Sequence, residues 1–102
     1  MNRTAVIYEV RAVVKPELCE AYESYMAEQH IPDLMKTGCF LEATFETYGE
    51  GEYQMRYTAS SRTDLETYFR EHASLLREDL VTHFPDGITL SRKEWNVIKH
   101  FA

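Results

Sequence analysis

The stretch Ala5-Val6-Ile7-Tyr8-Glu9-Val10-Arg11-Ala12-Val13-Val14 decides the fold, because its side chains alternate in character. Successive residues of a strand point to opposite faces. Val6, Tyr8, Val10, Ala12 and Val14 therefore share one face, and Ile7, Glu9, Arg11 and Val13 share the other. The first face is wholly apolar and must be covered, while the second carries charge. The rest of the chain has to supply the cover.

Downstream, Pro16 suits the first turn of a helix, and Leu18, Ala21, Tyr22, Tyr25 and Met26 recur at three-to-four spacing. In Glu28-Gln29-His30-Ile31-Pro32-Asp33, Pro32 has no N–H to donate to the Glu28 carbonyl, so a kink or restart is expected near His30. Gly38 closes that helix. Residues 39–48 and 53–59 are rich in strand formers and flank Gly49-Glu50-Gly51-Glu52, which predicts an antiparallel hairpin. Ser61 and Asp64 resemble a capping box ahead of a stripe of Leu65, Phe69, His72, Leu76 and Leu80, which predicts a second helix. After the Pro85-Asp86-Gly87 turn, residues 88–98 alternate again, with Trp95 and Val97 opposite Arg92, Glu94 and Asn96.

Strand, helix, strand, strand, helix, strand is the order of an α+β ferredoxin-like fold. Two helices would cover one face of a four-stranded antiparallel sheet in the spatial order 4-1-3-2. The uncovered face is expected to carry Ile7, Glu9 and Arg11 on the first strand and Arg92 with Glu94 on the last. On the third strand it carries either Met55 and Tyr57 or Gln54 and Arg56. Charges are rarely buried unpaired, so this face is either open to water or covered by a second copy with matching charges. A symmetric homodimer with a polar interior meets both demands.

The 102 residues are expected to form one domain spanning 1–102. Seventeen acidic side chains against eleven basic ones give a net charge of -6, which repels phosphate backbones, so nucleic acid is not an expected partner. The opening Met1-Asn2-Arg3-Thr4-Ala5-Val6-Ile7-Tyr8 meets Glu9 too soon for an apolar leader or a membrane span, and a soluble cytoplasmic protein is expected. Cys19 and Cys39 read as small core residues in a reducing compartment; Cys39, close to His30, has a reactive thiol as its alternative reading.

The segments Glu28 to Asp33, Thr37-Gly38-Cys39-Phe40 and Gln54-Met55-Arg56-Tyr57-Thr58, with the opening Tyr8-Glu9-Val10, resemble a small bacterial family known only as a domain of unknown function. That family in turn resembles the dimeric α+β barrel superfamily, which includes the antibiotic-biosynthesis monooxygenases. The resemblance implies two ferredoxin-like subunits with their sheets face to face, and a pocket between helices and sheet in each. It transfers little chemistry, because members include cofactor-free monooxygenases, haem-degrading enzymes and lactone isomerases. The Asn, His and Trp combination of the haem-degrading members has no equivalent around His30, Asn96 and Trp95.

The candidate catalytic residues are His30 and Asp33. An imidazole titrates near cellular pH and can act as a general base or acid if the helix break turns it into a pocket; the alternative is a helix-end histidine bonded to a free carbonyl. Asp33 either orients His30 or caps the helical turn after Pro32. The candidate ligand-binding residues are Glu9, Arg11, Arg56, Arg92 and Trp95, with Glu94 beside them, and cross-strand ion pairing accounts equally for the charged members. Tyr8, Tyr22, Tyr25, Tyr53, Tyr57, Tyr68 and Trp95 line either an aromatic cavity or a plain core. His30, Asp33, His72, His83 and His100 have no metal-ligand spacing, so no metal is expected. Together these readings predict a homodimer that binds a small organic ligand, with any catalysis free of cofactors. A protein-interaction module is the alternative, and a haem-binding or haem-degrading enzyme the third.

Overall fold

The computed structural model describes residues 5–102. The chain runs through β1 (Val6–Val14), a 3-10 turn (Pro16–Leu18), α1 (Cys19–Tyr25), a π-helical turn (Met26–His30) and α2 (Ile31–Met35). It continues through β2 (Glu42–Gly49), β3 (Glu52–Ala59), α3 (Arg62–Glu71), α4 (Ala73–His83) and β4 (Ile88–Asn96). Residues 1–4, part of the reading against a leader, lie outside the described residues. The strands lie in the order β2-β3-β1-β4, and every neighbouring pair is antiparallel. This is the expected 4-1-3-2 sheet of an α+β ferredoxin-like subunit.

The apolar side of β1 is buried from end to end. It packs with Tyr22, Met26 and Leu34 of the first helical stretch and with Leu65, Tyr68 and Leu80 of the second. Each such large side chain contributes roughly 1.5–3 kcal/mol by leaving water. The β2–β3 turn places Glu50 at φ 56° and Gly51 at φ 80°, the pair of left-handed residues that a two-residue hairpin turn requires. The Gly51 carbonyl accepts from the Val14 N–H at 2.8 Å, which ties the hairpin to the end of β1.

Both helical stretches depart from expectation. Pro32 does not interrupt the first; instead the Ile31 N–H reaches back five residues to the Met26 carbonyl, and the widened turn carries the helix past the residue that cannot donate. The second divides at His72, whose φ of -128° leaves the helical region. Tyr68 and Ala73, five residues apart and on different sides of a straight helix, are both buried because of this bend.

The facing of β4 corrects the sequence reading. Arg92 pairs with Val10 and Glu94 with Tyr8, so both point toward the helices, while Lys93 and Trp95 lie opposite Glu9 and Ile7 on the uncovered face. Alternation shows that Arg92 and Glu94 share a face, but only the register with β1 shows which one. On β3, Gln54 and Arg56 oppose Arg11 and Glu9 and so face outward; Met55 and Tyr57 face the helices.

Candidate functional site

Between the sheet and the helices lies a narrow cavity of about 30 Å³. Tyr8, Met55, Tyr57 and Arg92 reach it from the strands, and Tyr22, Met26, His30, Leu34, Tyr68 and Arg77 from the helices. The π-helical turn matters locally, since its first and last residues, Met26 and His30, are its two buried ones.

Two polar atoms around this cavity have no partner among the described residues. The Nδ1 of His30 and the hydroxyl of Tyr57 are buried, and neither makes a hydrogen bond among the described residues. A polar group buried without a partner costs about 1–3 kcal/mol, and such groups in native proteins call for an explanation. Burial lowers the pKa of His30 below the ordinary imidazole value, with the charges of Asp79 and then Asp33 pulling the other way. The ring is therefore neutral at pH 7. Burial holds the Tyr57 phenol well above its ordinary value, so it keeps its proton.

The third feature is the hydroxyl of Tyr8, which accepts from Arg77 Nη2 at 3.0 Å and from Arg92 Nε at 3.1 Å. Arg77 also lies over the Phe69 ring, 5.9 Å from its centroid. Neither guanidinium forms an ion pair with a carboxylate among the described residues.

The predicted ligand-binding set does not come together. Arg92 lines the cavity, whereas Glu9, Arg11, Arg56 and Trp95 lie on the opposite face of the sheet. There Glu9 is only 4% exposed although no helix covers it. Arg11 Nε sits 3.1 Å from one of its carboxylate oxygens and Arg56 Nη1 3.0 Å from the other. Trp95 is half-exposed beneath the Lys93 ammonium, and Glu94 pairs with Arg62. Asp33 fills neither expected role. It is exposed in the first turn of α2, pairs with Lys36 at 4.0 Å, and makes no cap or hydrogen bond to His30. Of the aromatic set, Tyr8, Tyr22, Tyr57 and Tyr68 reach the cavity, while Tyr25 binds Asp79 at 2.6 Å and Tyr53 binds Glu23 at 2.5 Å. Cys19 and Cys39 are both free thiols, with Cys39 in the core.

Arg77 escaped the sequence reading. The signal was there: Arg77 stands at three-to-four spacing between the buried Ala73 and Leu80, which sets the base of an exposed arginine at the edge of the core face.

A family model described as a domain of unknown function, DUF4286, matches residues 5–98. The chain belongs to this family. No curated protein matches it. Its fold recurs in solved structures at low identity. The monooxygenase from the ActVA-Orf6 gene of Streptomyces coelicolor, in complex with nanaomycin D, is 12% identical with a TM-score of 0.74, over 98% of this chain and 93% of that one. SnoaB, a cofactor-independent oxygenase from Streptomyces nogalater, is also 12% identical with a TM-score of 0.71, over 95% and 96%. MupZ from Pseudomonas fluorescens is 14% identical with a TM-score of 0.71, over 89% and 70%. These likenesses place this DUF4286 chain in the fold of the antibiotic-biosynthesis-monooxygenase-like proteins, as its sequence resemblance implies.

The site does not fit the haem reading: a space of about 30 Å³ admits a group of a few atoms, and a macrocycle has no room in it. Among the described residues no three His, Cys, Asp or Glu side chains gather as metal ligands. No helix among them is long and apolar enough to cross a membrane.

Proposed function

We propose that the cavity between sheet and helices binds a small organic molecule, and that His30 is the group that takes a proton from it or returns one, without a cofactor. The observation that carries this reading is the pair of buried, unpartnered atoms, His30 Nδ1 and the Tyr57 hydroxyl, on one small cavity. A ligand that bonds to them satisfies two polar atoms that the described residues leave without partners. A neutral imidazole accepts a proton directly, and the charges of Asp79 and Asp33 favour the imidazolium that forms. Asp33 contributes only through this field. The fold is one that also serves a cofactor-independent oxygenase and a monooxygenase with a bound small molecule.

The assembly proposed is a homodimer joined through the face of the sheet that lacks helices. Glu9, Arg11, Arg56 and Trp95 belong to this interface in the proposal, and not to the ligand. Val13 and Trp95 leave apolar surface there, and the ion triad offers charges of both signs to a second copy.

Replacing His30 by Gln tests the first part. The proposal expects proton-transfer activity and cavity-directed binding of aromatic fragments to fall at least tenfold, with the melting temperature within a few degrees of wild type. A large loss of stability with binding unchanged would mark His30 as a structural residue. A protein that binds no fragment at all but captures one partner protein would favour the interaction module.

A further inference from the structure

Resting on the reading of the cavity as a ligand site, we infer that its ligand is an organic carboxylate, held by Arg77, Arg92 and the hydroxyl of Tyr8. Two guanidiniums approach one neutral oxygen, at 3.0 and 3.1 Å. Like charges brought that close repel unless an anion lies between or beside them. The chain has six more acidic than basic side chains, yet neither arginine takes a carboxylate partner among the described residues. Both guanidiniums are exposed to water along part of their length, and their approach to one oxygen leaves the place of a counter-charge to an anion from outside the chain.

The donor arithmetic points the same way. A phenol oxygen that accepts two N–H bonds has used both lone pairs and keeps its own hydrogen to donate. Each guanidinium has spent one of its five N–H groups on Tyr8. The Tyr57 hydroxyl adds another free donor on the same cavity. Both arginines are exposed along part of their length, so their remaining N–H groups face water at the cavity's mouth, where they can reach a group made only of acceptors; the planar fork of arginine matches a carboxylate in particular. The cavity's size agrees: about 30 Å³ accommodates a head group of a few atoms. Met26 and Met55, flexible thioether side chains in its wall, are the parts that yield to the rest of the ligand.

The test uses benzoate and its neutral counterpart benzyl alcohol as probes, titrated into the full chain and followed by amide NMR shifts. The inference expects benzoate to bind about tenfold or more tightly than benzyl alcohol, since bonds to charged groups exceed neutral ones by about that factor. Arg77→Gln and Arg92→Gln should each weaken benzoate about tenfold and leave benzyl alcohol unchanged. Should either fail to fold, Arg92→Lys, which keeps the charge and loses the fork, is expected to give an intermediate affinity. Equal binding of the two probes, or benzoate binding indifferent to both arginines, would overturn the carboxylate and leave the ligand site standing. Failure of both probes to shift the amides around Tyr8, His30 and Tyr57 would overturn the ligand site itself.

Discussion

Tyr57 separates stability from function at a single atom. Its hydroxyl is buried and bonded to nothing among the described residues, so Tyr57→Phe removes a cost and keeps the packing. The variant is expected to be as stable as wild type or more so by roughly 1 kcal/mol, and to bind the cavity's ligand less tightly. Chemical denaturation and a binding titration on the same sample check both halves. His30 gives the chain a pH dependence with a definite sign. Burial holds the folded imidazole below the unfolded value of about 6.5. Between the two values the unfolded chain binds more protons, so stability falls as the pH drops through about 6.5 toward the folded pKa. His30→Gln should flatten this limb, as melting curves from pH 8 to 5.5 would show; an unchanged slope would mean that His30 titrates normally. Sequence pointed to His30 because Pro32 marks the turn beside it. It did not point to the bare Nδ1 or the lone Tyr57 hydroxyl, since a missing partner is a property of everything packed around an atom.

At the scale of elements, alternation and turn chemistry carried most of the reading. The β1 stretch, the Gly-Glu-Gly hairpin and the Ser61 cap, which accepts from the Asp64 N–H at 3.2 Å, all lie where the residues place them. What local pattern left open was register. A period of two says which residues of β4 share a face, and pairing with β1 alone says which face is covered, so Arg92 moved from the open side into the cavity. The π-helical turn was equally hidden, because a proline in a helix can be met by a break, a kink or a widened turn. Gly51 tests the account of the hairpin. It holds φ 80°, and a Cβ there would stand 2.5 Å from the Val14 carbonyl oxygen. Gly51→Ala should therefore cost roughly 1–3 kcal/mol, read from denaturation midpoints; a neutral substitution would mean that the turn relaxes freely.

For the whole molecule, the sheet divides two jobs between its faces. The helical side holds the cavity, and the other side holds a carboxylate closed in by two arginines within its own chain. In the proposed homodimer this second face is the joint. Arg56→Glu would set two carboxylates against each other across β1 and β3, and is expected to convert the dimer to monomer at micromolar concentration, measured by sedimentation velocity. Wild-type protein that sediments as a monomer would contradict the proposal. From sequence the dimer rests on a charged strand face and on the family resemblance, and of the β4 residues expected on that face Arg92 and Glu94 lie on the other. The pocket between helices and sheet came from the family resemblance, and its lining from the fold.

The claim on which the rest depends is that the cavity at His30 receives a ligand. Amide NMR spectra of the full chain, recorded with a panel of small aromatic acids and alcohols, test it most directly. The account predicts saturable shifts centred on Tyr8, His30, Tyr57 and Arg92, lost in His30→Gln. Spectra that do not change, or change only on the outer face around Glu9 and Trp95, would contradict it.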